Sequence, residues 1–575
     1  MLSRISESKI KSILNNIYKF SYTKKDLNLY YNEIKNIIQI FNKENYKKKK
    51  IISEKTSIMI CYADNILNYN KKNSIKVFQS FYQKKLKKYF DTVHFLPFYP
   101  SSSDSGFAVK DHYKIDNRLG SWSDIKKFSK KTNIMADIVI NHSSARGLWF
   151  KNFLKNKNPG KDYFFTVKPL FNTSKVIRAR DHKLLKEINI FEKKEYLWRT
   201  FSADQLDLNF KNPAVLLQFI KIIISLINHG VTIFRLDAIA YLWKEDGTKC
   251  INLKQTHEII KLLRIVCNIL KVGTIILTET NLPEKENLSY FGKKDEANWI
   301  YNFSLPPILV HAFLFEDSSY LNKWSTKLPR LKKDNSYLNF IASHDGIGMR
   351  PIEGILNETK INNFLTRLKK NGSKFSYRKI QNKTRKVYEA NITIFNALYK
   401  SDFDKIGRFA NERYISAHAI MFALEGVPAV YFNSLFATSN DEQKYIITGN
   451  NRDINRYKWN KKNILNLLKN KDSKQSHFYN TITKLLEIRK KQKAFHPNSL
   501  RTNINLGSKI FCFKRISLDK KQTIISITNL TSNSRFPKLS KRYILWKNLI
   551  NPKSKIIKKK SLKLRPFETM WLTNI

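Results

Sequence analysis

The chain has 575 residues, 42% hydrophobic and 13% aromatic, enough to bury a large core and too apolar for a disordered protein. Its formal net charge of +59 would by itself point to nucleic acid or an anionic membrane surface. The lysines, however, are scattered as short runs (Lys47 to Lys50, Lys193 and Lys194, Lys558 to Lys560) without the spacing of a nucleic-acid-binding motif. With only 16 glycines and abundant lysine, asparagine and isoleucine, the charge reads as compositional drift, and no nucleic-acid or membrane partner is expected.

Residues 1–55 carry apolar positions at three- and four-residue intervals (Ile10, Ile13, Leu14, Ile17; Ile34, Ile37, Ile38, Phe41), which predicts a helical N-terminal extension. Charges interrupt its apolar residues, so it lacks the continuous apolar core of a signal peptide. Cys61, Cys250, Cys267 and Cys512 follow neither metal-binding nor disulfide spacing, and a reduced, cytoplasmic setting is expected. From residue 56 the texture becomes short apolar runs that end in polar clusters, each followed by a helical pattern. Eight such runs occur, at 56–64, 92–98, 134–142, 231–240, 274–281, 298–306, 338–346 and 426–434. Eight parallel βα units predict a (β/α)8 TIM barrel, an α/β fold, over 56–142, 211–346 and 413–499. The long gaps at 143–210 and 347–412 are expected to be subdomains inserted after strands 3 and 7. Alternating segments such as IFCFKRISL and TIISITNLT predict a C-terminal antiparallel β-domain over 500–575.

A parallel barrel carries its active site where the strands end. The third run ends in Asn141-His142, the fourth contains Arg235-Leu-Asp237, the fifth ends in Glu279 and the seventh in His344-Asp345. Arg235 and Asp237 stand two apart on one strand, so they share a face, where a guanidinium can hold a carboxylate ionised and aimed as a nucleophile. One carboxylate at a strand end is ordinarily a cap; three around one mouth suit glycoside cleavage with retention. One attacks the anomeric carbon, a second about 5 Å away protonates the leaving oxygen, and a third stabilises the positive charge that develops.

These segments resemble the conserved regions of the α-amylase superfamily: DIVINH (137–142), FRLDAIA (234–240), LTETN (277–281) and ASHDG (342–346), with QLDLNF (205–210) as an additional signature. Within it the chain is similar to the sucrose phosphorylase group, especially its glucosylglycerate phosphorylase branch. That likeness runs through LPFYPSSSDSGFAVKDH (96–112), ASHDGIGMRPIEGIL (342–356), YEANITIFNAL (388–398) and RDINR (452–456). The resemblance implies Asp237 as nucleophile, Glu279 as general acid/base and Asp345 as transition-state stabiliser. It also implies a glucose subsite of Asp104, His142, Arg235, His344 and Arg456, and, in VIRAR (176–180), Arg180 as phosphate ligand. Here Ala179 replaces the usual proline, and Lys249 in WKEDGTKC (243–250) stands where the family usually has serine. Asn141 matches a calcium position of many amylases, but the group works without metal, so no metal and no cofactor are expected beyond inorganic phosphate as co-substrate. The expected function is a glucoside phosphorylase that converts sucrose or glucosylglycerate to α-glucose 1-phosphate through a covalent glucosyl-Asp237; the alternative is a hydrolase or transglucosidase with the same three acids.

Overall fold

The structure, a computed structural model, describes residues 3–41, 52–68, 73–190, 193–271, 273–380, 384–540, 546–552 and 562–575. The lysine runs at 47–50 and 558–560, and positions 1–2 and 42–51 of the expected extension, lie outside these residues. Eight parallel strands close a barrel in chain order: β1 (Ile58–Cys61), β2 (Thr92–Phe95), β3 (Asn133–Val139), β4 (Val231–Asp237), β5 (Ile275–Thr278), β6 (Trp299–Tyr301), β7 (Ser336–Asn339) and β8 (Val427–Tyr431). Each lies within or overlaps one of the eight apolar runs. The strands are buried on both faces, which is why they read as continuous apolar stretches rather than alternations. β7 starts two residues before its run, with Ser336, whose buried hydroxyl donates to the Tyr337 carbonyl.

Between β3 and β4 the chain forms a three-stranded antiparallel sheet, with Lys193–Trp198 between Thr166–Val167 and Leu185–Ile190. Segment His142–Ser144 pairs antiparallel with Gln205–Asp207, so the QLDLNF signature is stitched to the end of DIVINH. After β7 a second three-stranded sheet joins Ile347–Gly348, Arg385–Asn391 and Lys374–Lys379. The chain closes with an antiparallel sheet in the order β9 (Leu500–Asn503), β10 (Ile510–Ile516), β11 (Thr523–Asn529), β13 (Thr569–Thr573), β12 (Lys547–Asn548). Fully buried Arg515 ties it to the barrel, donating to the Ala423 and His496 carbonyls at 2.6 and 2.7 Å.

Two capped helices precede the barrel. In α1 (Arg4–Tyr18) the Ser3 hydroxyl accepts from the Ser6 amide, and in α2 (Lys24–Ile40) Thr23 and Asp26 form a capping box. Their apolar stripes pack on α3 (Pro213–Asn228) and α4 (Lys254–Leu270) of the barrel wall, where Ile10, Leu14 and Ile34 are buried and the Tyr18 hydroxyl donates to the Phe210 carbonyl at 3.1 Å. Among the described residues no helix is long and apolar enough to cross a membrane.

Because Ile10 is wholly buried in this seam, Ile10→Ala should cost about 2–4 kcal/mol, read as a lower midpoint in urea unfolding. An unchanged midpoint would mean that the two helices are not part of the barrel's cooperative unit.

Candidate active site

β3 and β4 run parallel in a register that sets Arg235 beside Asp137 and Asp237 beside Val139. The buried Arg235 guanidinium therefore meets carboxylates on both strands: it donates to Asp137 and, at 2.7 Å, to Asp237, and its other terminal nitrogen lies 3.9 Å from Glu279 at the end of β5. Asp137 is held from its far side by His94 at 2.8 Å. Directly after Asp237 the backbone turns through Ala238 with φ of 52°, a left-handed conformation that costs a non-glycine residue about 1 kcal/mol or more. The turn aims the Ala238 amide at Glu279, whose Oε2 accepts from it at 2.9 Å. Asp237 and Glu279 are thus fixed by one cation and one backbone turn.

The third acid is held from the opposite side. Arg452 stands in the short 3-10 turn Asn451–Asn455 and Arg456 directly after it, and both guanidiniums reach Asp104. Arg452 spans Asp345 (3.1 Å), Asp104 (3.2 Å) and Glu389, which it grips through two nitrogens at 3.1 and 3.2 Å. Arg456 donates to Asp104 at 3.2 and 3.3 Å and to the His344 carbonyl at 3.1 Å, and stands 3.5 Å from Asp345. Asp104 opens three consecutive left-handed residues, with Ser105 and Gly106; at Gly106 (φ 112°) a Cβ would lie 2.6 Å from the Pro97 carbonyl oxygen. Burial alone would raise the Asp104 pKa, but Arg452 and Arg456 outweigh it and pull the carboxyl down to about 2.

These acids open on a cavity enclosing about 710 Å³ of empty space, mouth included. Asp104, His142, Arg180, Asp237, Glu279, His344 and Asp345 line it, whereas Arg235 and Arg456 stand behind the wall and act on the lining carboxylates. His344 stacks on Phe107 at 5.0 Å and lies 3.3 Å from Asp345. Burial and the neighbouring arginines hold its pKa well below the usual histidine value, and burial takes His142 down to about 4, so both present neutral rings at pH 7. Arg180 lies over the Tyr388 ring at 4.8 Å and the Phe201 ring at 5.7 Å, donates to the Ala179 carbonyl at 3.0 Å, and makes no ion pair among the described residues. Lys249 is exposed and outside the cavity lining; its carbonyl accepts from Ile177, which fastens the 243–250 loop to the segment bearing Arg180. At Asn141 the side-chain oxygen accepts from buried Lys244 at 3.0 Å, and the same ammonium lies 2.7 Å from Asp207. Among the described residues no three His, Cys, Asp or Glu side chains are grouped to hold a metal.

The alpha-amylase catalytic-domain model matches residues 82–350. The glucosylglycerate phosphorylase of Escherichia coli is 34% identical over 568 residues, 98% of this chain and the whole of that one. The chain belongs to the sucrose phosphorylase group of the alpha-amylase family. The sucrose phosphorylase of Bifidobacterium adolescentis is 28% identical over 69% of this chain and 79% of its own. The solved sucrose 6F-phosphate phosphorylase of Thermoanaerobacter thermosaccharolyticum shares the fold, with a TM-score of 0.72 at 22% identity over 89% of this chain and 98% of that one. The protein is therefore a glucoside phosphorylase of the sucrose phosphorylase type.

Sequence reasoning alone passes over several residues of this phosphorylase's site: Asp137, Arg452, Glu389, Tyr388 and Lys244. Asp137 opens the DIVINH segment and was legible as the register partner of Arg235. Arg452 stands at the head of RDINR, where the four-residue spacing to Arg456 is the signal.

Burial pushes both the Asp237 and the Glu279 carboxyls up. Arg235 opposes that shift in both, and lies closer to Asp237, at 2.7 Å, than to Glu279, at 3.9 Å. If Asp237 attacks and Glu279 carries the proton, the pH profile of kcat/KM should be a bell whose acid limb is protonation of Asp237 and whose alkaline limb is loss of the Glu279 proton. Glu279→Gln should abolish the alkaline limb, and its persistence would place the proton elsewhere.

Proposed function

We propose that this enzyme transfers glucose from an α-glucoside to inorganic phosphate by double displacement, with Asp237 as nucleophile and Glu279 as general acid/base. The observation that carries the reading is the single buried guanidinium of Arg235 reaching both carboxylates, closer to Asp237 than to Glu279. It keeps one acid charged to attack and leaves the other protonated to donate.

In the first half, an Asp237 oxygen bonds to the anomeric carbon as the bond to the acceptor oxygen breaks, and Glu279 gives its proton to that oxygen. In the second, a phosphate oxygen displaces Asp237 from the anomeric carbon, and Glu279 takes up the proton of the incoming phosphate. Two inversions give net retention and release α-glucose 1-phosphate. Asp345, held by Arg452 and aimed at the cavity, stabilises the positive charge on the flattening ring. Asp104 and the neutral His142 and His344 are placed to bond glucose hydroxyls, with Arg235 and Arg456 orienting the carboxylates from behind. Arg180 is proposed as phosphate ligand, because it faces the cavity, rests on two aromatic rings and carries a charge without an ion-pair partner among the described residues. Glucosylglycerate is the preferred donor, since the E. coli relative of that name aligns over the full length; sucrose is the second. The buried free thiols of Cys61, Cys250, Cys267 and Cys512 suit a reducing cytoplasm.

Purified enzyme incubated with either glucoside should form glucose 1-phosphate only when phosphate is present. Free glucose formed equally without phosphate would make it a hydrolase on the same three acids. Asp237→Asn should lower turnover by roughly four orders of magnitude while the circular dichroism spectrum stays native. Arg180→Leu should raise the KM for phosphate about tenfold or more, the loss of one charge-assisted contact; an unchanged KM would remove Arg180 from the phosphate site.

A further inference from the structure

Arg350 takes no part in the chemistry described so far. It stands in the turn Arg350–Ile352 after Gly348, is 3% exposed, and among the described residues makes no ion pair or side-chain hydrogen bond; its Nε and Nη1 are buried without a partner. An arginine cannot shed its charge at any working pH, and a buried unpaired cation is destabilising. The nearby carboxylate of Glu353 is already engaged by Arg378.

The position of Arg350 relates this charge to the cavity. Gly348 lines the cavity, and the Met349 amide donates to the Tyr388 carbonyl at 3.0 Å, so Arg350 sits one layer behind the cavity wall at its Tyr388 end. Burial opposes the charge on Arg350, while the Tyr241 and Tyr388 hydroxyls, with Glu353 and Glu286, favour it. Further unpartnered groups collect at the same end. The Tyr241 hydroxyl and the Asn281 side-chain oxygen are buried without hydrogen bonds among the described residues, and both residues line the cavity with Glu279. Gly348 approaches Asn281 so closely that a Cβ would lie 2.7 Å from its Oδ1.

We infer that Arg350, with Tyr241 and Asn281, forms the acceptor end of the site and selects an acceptor that bears a carboxylate next to a hydroxyl. This rests on the phosphorylase reading above and deepens it by naming the residue that selects the acceptor. From behind the lining Arg350 supplies the positive charge that attracts the carboxylate, the Tyr241 phenol donates to it, and the Asn281 oxygen accepts from the neighbouring hydroxyl. Glu279, the group that exchanges a proton with the acceptor oxygen, lies on the same lining.

The test is synthesis from α-glucose 1-phosphate with D-glycerate and, as the probe lacking the carboxylate, glycerol. The ratio of kcat/KM for glycerate to that for glycerol should fall at least about 30-fold in Arg350→Gln, mainly through the glycerate KM, and partly recover in Arg350→Lys. Glycerate should also raise the melting temperature of the wild type more than that of Arg350→Gln. An unchanged ratio, or equal protection of both proteins by glycerate, overturns the assignment. Should Arg350→Gln not fold, Arg350→Lys decides: the same glycerate-to-glycerol ratio as wild type overturns the assignment. A wild-type enzyme that makes glucose 1-phosphate only from neutral glucosides also overturns it and leaves the phosphorylase reading standing.

Discussion

Everything at the barrel mouth depends on how a few guanidiniums are shared among a larger number of buried carboxylates. Arg235 serves Asp137, Asp237 and Glu279, while Arg452 and Arg456 serve Asp104, Asp345 and Glu389. The acids outnumber the cations, and the neutral histidines do not make up the difference. A centre with such a surplus of negative charge must retain a proton or attract positive charge. In the proposed reaction it does the first at Glu279, and the second is what a glucosyl group develops as its glycosidic bond breaks. On that proposal the acid that protonates and the field that stabilises are two consequences of one electrostatic imbalance.

That imbalance sits inside a chain of net charge +59. The two facts do not conflict, because surface lysines are screened by water and salt within about a Debye length, roughly 8–10 Å, whereas the buried carboxylates act on one another through a far less polarisable medium. The surplus of lysine thus says little about the reaction, and the chemistry is set by groups that composition cannot reveal.

The barrel was legible because its strands are buried on both faces and so stand out as unbroken apolar runs, and because the polar residues ending them face one mouth. The positions of Asp237, Glu279 and Asp345 around that mouth could be read for that reason. The residues that orient them were harder, since Arg452, Glu389 and Lys244 come from loops and their partners lie far away in the chain. Backbone shape was equally concealed at Ala238, where an alanine adopts a left-handed turn that its residue type does not announce. At Gly106 a glycine did mark such a turn, and even there Asp104 and Ser105 share it.

Lys244 has a role of a different kind. Its ammonium lies between Asn141 at the end of a barrel segment and Asp207 at the end of the segment inserted after β3, so one positive charge joins the two. A free ion in such a place would be held only as tightly as its concentration in the medium allowed. A charge carried on the chain itself has a fixed effective concentration, so dilution or sequestration of ions cannot loosen the joint. The wall of the cavity that bears Arg180 is thereby fastened to the barrel by the polypeptide's own cation, assembled once at folding.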